Sequence, residues 1–201
     1  MFRQLCFAAI AVFFAANTCS ANFVIDDFTQ DLSQPGSSPQ LTITEMNAPV
    51  SFTYSAAFDT FSGTLDDGGM VSFAYDFSSL GGTLGSAAAM VPGSGTVFTG
   101  LSFGNLPALP VVGFDVMVSA VNSAFTPVTQ AVSSSPTFVP ISSGLEAADT
   151  IVIKFTNNTG FTTSFFFGGS TTPLVAVPEP TSLLMFSSVM GLAFVPRRRR
   201  R

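Results

Sequence analysis

Met70-Val71-Ser72-Phe73-Ala74-Tyr75-Asp76-Phe77 decides the fold class. Val71, Phe73, Tyr75 and Phe77 fall on one face and Ser72, Ala74 and Asp76 on the other, the period of two that marks a half-buried β-strand. The strand is introduced by Asp66-Asp67-Gly68-Gly69, the sharpest turn signal in the chain. Working outward, the same alternation recurs in Leu41–Thr44, Val50–Tyr54, Thr96–Phe103, Val111–Ala120 and Asp149–Thr156. Asn22–Asp31 reads as a first extended segment that runs into a turn-forming loop at Ser33–Pro39. In Val111–Ala120 the expected inner face is Val112, Phe114, Val116 and Val118. Phe161–Phe167 follows a turn at Asn157-Asn158-Thr159-Gly160, so it is expected to be the hairpin partner of Asp149–Thr156. Gly81–Gly95 shows no period and reads as an elaborated loop, and Asn122–Ser135 as polar and irregular.

Nowhere between Asn22 and Ala176 do apolar residues recur at helical spacing for three turns. About eight to ten short strands with Gly, Pro, Asn and Asp between them predict an all-β domain, a two-sheet sandwich of jelly-roll type. No repeating unit supports a propeller or solenoid. The core rests on phenylalanine, of which the chain has 23. Burying one such ring gains about 1.5–3 kcal/mol. An aromatic binding platform is the weaker reading of the same residues, because Trp is absent and only Tyr54 and Tyr75 remain.

At 201 residues the chain holds one domain of ordinary size with short terminal segments. The net charge of −5 conceals an asymmetry. Of the 12 acidic residues all but Glu179 lie between Asn22 and Ala176, where Lys154 is the sole cation, so the body carries about −10. Nucleic acid is thereby excluded as a partner, since phosphate binding needs clustered Lys and Arg. His is absent and both cysteines, Cys6 and Cys19, precede residue 20. Histidine catalysis and a cysteine nucleophile in the body are excluded with them. Lys154 has no Ser-x-x-Lys before it, and Gly93-x-Gly95 lacks the strand, lysine and helix of a phosphate cradle. Carboxylate chemistry is what remains. No pair of acids stands out for glycoside hydrolysis, so the expectation is a non-enzymatic protein, with a carboxylate-dependent glycan hydrolase as the alternative. Asp26, Asp27, Asp66 and Asp67 supply the oxygen ligands Ca²⁺ prefers, but without an Asp-x-Asp-x-Asp-Gly loop they read first as solvated turn residues.

The two ends of the chain are addresses. Met1–Ser20 has a basic start at Arg3, an apolar run Leu5–Ala16 and small residues at Cys19-Ser20-Ala21, the layout of a secretory signal helix cleaved by signal peptidase after Ala21. A buried helix is disfavoured because the run has no polar face. A lipid-carrying Cys19 is disfavoured because Ala16-Asn17-Thr18 lacks the leucine and small-residue pattern such a site wants. The expected division is 1–21 signal peptide, 22–170 sandwich, 171–176 linker and 177–201 terminal segment.

That last segment reads Val177-Pro178-Glu179-Pro180, an uncharged apolar run Thr181–Val195, Pro196, then Arg197, Arg198, Arg199, Arg200 and Arg201. In order and spacing it resembles the PEP-CTERM sorting signal of secreted proteins from Gram-negative and related bacteria. Asp26-Asp27-Phe28 also resembles the start of many β-rich proteins with this tail. The resemblance implies that a membrane-embedded exosortase recognises Pro178-Glu179-Pro180 and cleaves near it. The body is then released or transferred to the cell surface, often in organisms that make exopolysaccharide. Extracellular polysaccharide is the partner this implies, with a transient hold on the inner membrane through the C-terminal hydrophobic helix. The five arginines act as a positive stop on the cytoplasmic side. The run departs from a stable anchor: it is shorter than the roughly 17–25 residues of a spanning helix. It also contains Ser182, Ser187, Ser188 and Gly191. It therefore reads as a transient stop-transfer segment.

Overall fold

The computed structural model describes residues 21–47, 50–55, 60–103, 112–122, 125–132, 137–141, 144–168 and 174–179. The expected signal helix before Ala21, the C-terminal hydrophobic helix, Pro180 and Arg197–Arg201 lie outside the described residues. Among those described, no helix is long and apolar enough to cross a membrane. The fold is all-β and antiparallel. Twelve strands are described: β1 (Phe23–Asp26), β2 (Gln40–Met46), β3 (Val50–Ser55), β4 (Thr60–Leu65), β5 (Met70–Asp76), β6 (Phe98–Phe103), β7 (Phe114–Asn122), β8 (Phe125–Val132), β9 (Thr137–Pro140), β10 (Thr150–Asn157), β11 (Thr163–Gly168) and β12 (Leu174–Pro178).

The strands form three hydrogen-bonded sheets instead of the expected two, in the orders β1-β12-β6-β9, β2-β5-β10-β7-β8 and β11-β4-β3. The five-stranded sheet is built on the predicted alternation. Val71, Phe73 and Tyr75 of β5, Ile151, Ile153 and Phe155 of β10, and Phe114, Val116, Val118 and Ala120 of β7 are all buried, while the residues between them are not. The three-stranded sheet packs onto this face through rings. Phe61 of β4 lies 5.5 Å from Phe73, and Phe165 of β11 stacks at 5.4 Å on Phe155. The four-stranded sheet contributes Phe23, Ile25, Leu101, Phe103, Val139, Leu174 and Ala176 to the same core.

Several local expectations are corrected. Thr163–Gly168 pairs with β4 (Phe165 opposite Gly63), not with β10. The reason is occupancy: β10 already has β5 on one side and β7 on the other, so neither edge is free for a hairpin partner. The stretch taken as a plain loop at 81–95 holds a short helix, α1 (Leu84–Ala89). Thr83 caps it, its Oγ1 accepting the Ser86 N–H at 3.2 Å, and Leu84, Ala87 and Ala88 bury one face. Less than two turns is too short to display a period. The segment read as irregular at 122–135 contains β8. Val112 is 94% exposed, not inward-facing, because Gly113 at φ 85° redirects the chain before β7 begins. The stretch expected as a linker at 171–176 enters β12 at Leu174, and β12 lies between β1 and β6.

Candidate functional site

The loops at one end of β5 and β10 meet around a single buried side chain, Asn157, which is fully shielded from solvent. Its Nδ2 donates to Leu65 O (2.6 Å) and Phe161 O (2.7 Å), and its Oδ1 accepts from Thr159 N–H (3.1 Å) and Thr159 Oγ1 (2.8 Å). Backbone bonds complete the knot: Gly68 N–H donates to Asn157 O, Asn157 N–H to Gly69 O, and Asn158 N–H to Gly113 O. Asp66 and Asp67 sit on its rim, where Thr162 Oγ1 donates to Asp66 Oδ1 (2.6 Å) and Gly160 N–H to Asp67 Oδ1 (2.8 Å). Phe161 and Val112 project beside them, 77% and 94% exposed. The loop end thus offers a bare ring, two carboxylates and several hydroxyls on a backbone pinned from within. Such a surface suits a neutral polyhydroxylated ligand, apolar contact on its flat face and hydrogen bonds at its edges.

The other predicted acids are used differently. Asp26 closes β1 and is 3% exposed. Its Oδ1 accepts from Phe28 N–H (2.7 Å) and its Oδ2 from Tyr75 Oη (2.9 Å), tying the four-stranded sheet to the five-stranded one. Burial pushes the carboxyl up to about 6; the bonds from Phe28 and Tyr75 pull the other way, and the negative charges of Asp27 and Asp31 add a small upward push. Burial, with the negative Asp26 beside it, also drives the Tyr75 hydroxyl well above its ordinary value. The bend is held from both sides: Phe28 adopts φ 58°, Tyr54 Oη donates to Phe28 O (2.8 Å), and Gly168 lies under the Phe28 ring. A Cβ at Gly168 would stand 2.7 Å from that ring. Asp26 is accordingly a structural latch.

Asp27 is held below the usual carboxylate range by the Thr29 hydroxyl and N–H, which donate to its Oδ1 at 2.7 and 3.0 Å. For Asp31 partial burial pulls upward, but bonds from Ser33 and Gln34 outweigh it and leave the carboxyl lowered. Asp26 and Asp27 belong to the β1 bend, and Asp66 and Asp67 to the turn between β4 and β5. Among the described residues, no group of three His, Cys, Asp or Glu side chains forms that could hold a metal.

An open groove of about 490 Å³ runs along edge strand β2, lined by Ser33, Pro35, Gln40, Leu41, Thr42 and Ile43. That lining carries no carboxylate pair.

The residues expected to mark processing are found together. Pro178 is buried as the last residue of β12, and Glu179 is exposed, its N–H donating to Val97 O at 2.9 Å. Ala21 forms a bridge to Ser94, its N–H donating to Gly93 O at 3.0 Å and its O accepting from Gly95 N–H at 3.3 Å. Both are therefore held by one loop, between α1 and β6. Sequence reasoning located the Asp66–Asp67 turn and the Asn157–Gly160 turn, but not their joining through Asn157. An asparagine in a turn reads by its composition as a solvent-facing residue, although Asn157 continues by one step the buried face of Ile151, Ile153 and Phe155. In comparisons with known proteins, no family model, no curated protein and no solved structure matches the chain.

Proposed function

We propose that this chain is an exported bacterial protein of the cell surface or extracellular matrix, with a non-enzymatic structural or polysaccharide-binding role. In this reading signal peptidase acts after Ala21, and an exosortase-type enzyme processes the segment that begins Val177-Pro178-Glu179-Pro180. The observation that carries it is an order of parts: the sorting-like motif begins inside β12, the last described strand, and the apolar run and arginine block follow it in the sequence with no spacer between. We also read the body as a jelly-roll-like sandwich. What supports this is the strand order. With β2, β3, β4 and β11 counted as additions, the remaining eight strands take the order first, last, third, sixth in one sheet and second, seventh, fourth, fifth in the other. Jelly rolls include lectin domains, an analogy of fold only. The loop end around Asn157, with Phe161 bare beside Asp66 and Asp67, is the surface we assign to glycan contact.

The test is a binding screen of the full chain against extracellular polysaccharides, with Phe161→Ala alongside. The expected result is binding to at least one polymer, weakened about tenfold by the substitution, which corresponds to about 1.4 kcal/mol of lost ring contact. Absence of binding to every polymer, or binding indifferent to Phe161, sinks the glycan assignment. Export itself is read separately, by mass spectrometry of the protein outside the cell; a chain there still ending in Arg201 sinks the processing assignment.

A further inference from the structure

We propose that the loop 90–97 is a lipid-facing surface, which seats the body end-on against a zwitterionic bilayer while a terminal apolar segment is still attached. The inference rests on the reading of those two segments as membrane-directed.

The first ground is where the chain leaves the body. Ala21 is bonded to Gly93 and Gly95, and Glu179 to Val97, so the described chain begins and ends at this loop, with the apolar stretches Leu5–Ala16 and Thr181–Val195 lying beyond those two points in the sequence. Only Pro180 separates Glu179 from the second stretch. Two peptide steps reach at most about 7 Å. The headgroup layer on each side of a bilayer is itself about 5–7 Å deep. With Thr181 at the edge of the hydrocarbon, the loop that holds Glu179 cannot stand clear of the headgroups.

The second ground is what the loop presents there. Met90, Val91 and Val97 are 60%, 46% and 47% exposed, Pro92 is exposed between them, and no charged residue occurs between Asp76 and Asp115. In a body this acidic, a charge-free apolar tip at the point of membrane attachment matches the boundary between headgroups and acyl chains. The tip is also fixed in shape. Val91 N–H donates to Ala88 O and Ser94 N–H to Val91 O, and Thr96 O lies 3.3 Å from where a Cβ on Gly85 of α1 would stand. Glu179 on the rim and Glu146, whose backbone adjoins Gly85, disfavour an anionic lipid surface, so the partner is zwitterionic.

The chain contains no tryptophan, so a single introduced one reports its own surroundings. Full-length chains carrying Val91→Trp, Val97→Trp or Val112→Trp are reconstituted into phosphatidylcholine vesicles with brominated acyl chains. Val112 serves as the reference because it is exposed at the loop end around Asn157, across the length of β5 from α1. The expected result is blue-shifted, strongly quenched emission at positions 91 and 97 and unquenched emission at 112, with quenching reduced when phosphatidylglycerol is added. A chain that floats with the vesicles but shows equal quenching at all three positions, or none at 91 and 97, overturns this inference and leaves the membrane-directed reading of the tails intact. A chain that does not float overturns both. Stronger quenching on adding phosphatidylglycerol overturns the zwitterionic assignment.

Discussion

Replacing Asp26 by Asn turns the burial of one carboxylate into a measurable pH dependence. The folded carboxyl is raised from 3.8 to about 6 by burial, so the folded state holds its proton more tightly than the unfolded one. Stability from this group is complete below about pH 3.8 and is lost as pH rises through about 6. At 1.36 kcal/mol per pH unit, the displacement from 3.8 to about 6 is worth about 3 kcal/mol. Asparagine keeps the acceptor for Phe28 N–H and has no charge to desolvate. The stability of Asp26→Asn minus that of the parent should therefore rise by about 3 kcal/mol between about pH 3.5 and pH 7.5. Asp27 and Asp31, whose lowered values give the opposite slope, are present in both proteins and cancel in the difference. The assay is urea unfolding followed by circular dichroism at a series of pH values, with equal slopes against urea confirming that the same surface is exposed. Tyr75→Phe supplies a second arm. Removing the hydroxyl that donates to Oδ2 takes away a contribution that lowers Asp26, so the window in which stability falls should move to higher pH. A stability difference that stays flat from acid to neutral pH, or that grows as pH falls, would refute the assignment of Asp26 as a buried carboxyl held above its ordinary range.

Asn157→Ala should cost about 2–4 kcal/mol, because it removes the buried amide that donates to Leu65 O and Phe161 O and the oxygen that accepts from Thr159 N–H. Amide hydrogen exchange should quicken at 158–162 in the same variant, and unchanged exchange there would remove Asn157 as the organiser of the loops. Gly100→Ala should destabilise by about 1–3 kcal/mol. Its Cβ would meet the Phe138 ring at 2.7 Å as well as Val139 O, so a neutral result would mean that β9 shifts freely along β6. Processing should leave a chain that ends C-terminal to Pro178. A mature form ending before Leu174 would have lost the strand between β1 and β6, and its detection by mass spectrometry as a stable species would contradict the role given to β12.

How much of this was legible depends on whether a feature is local. The alternation in β5 and β7 is a property of eight or so consecutive residues, and it placed Phe73 and Val116 in the core without reference to any partner. Pairing is not local. Thr163–Gly168 follows β10 after a turn of hairpin composition, yet it joins β4, because β5 and β7 have taken both edges of β10. Single backbone angles were equally hidden: Val112 continues the period of two on paper, and Gly113 at φ 85° turns it out to solvent. The candidate site divides the same way. Asp66-Asp67-Gly68-Gly69 announces its turn through composition, whereas the bond from Asn157 to Leu65 joins residues 92 apart and follows from no spacing rule.

The pairing of the first strand with the last decides what removal of either terminal segment does to the body. Phe23 sits opposite Ala176 and Val24 opposite Val175, so the residues just inside the two expected cleavage points are hydrogen-bonded to each other across β1 and β12. Loop 90–97 adds a clasp on each side through Ala21 and Glu179. Cutting after Ala21 releases its bridge to loop 90–97, but that cut and one beyond Pro178 leave the β1–β12 pairing and the core contributed by Phe23, Ile25, Leu174 and Ala176 in place. A body closed in this manner tolerates loss of the N-terminal segment, the C-terminal one, or both, in either order. Were the first and last strands on separate sheets, each cut would leave a terminal strand held by one partner and free to fray. Under the proposed processing, this closure would uncouple folding from the cuts, because the β1–β12 pairing that completes the four-stranded sheet needs neither terminal segment.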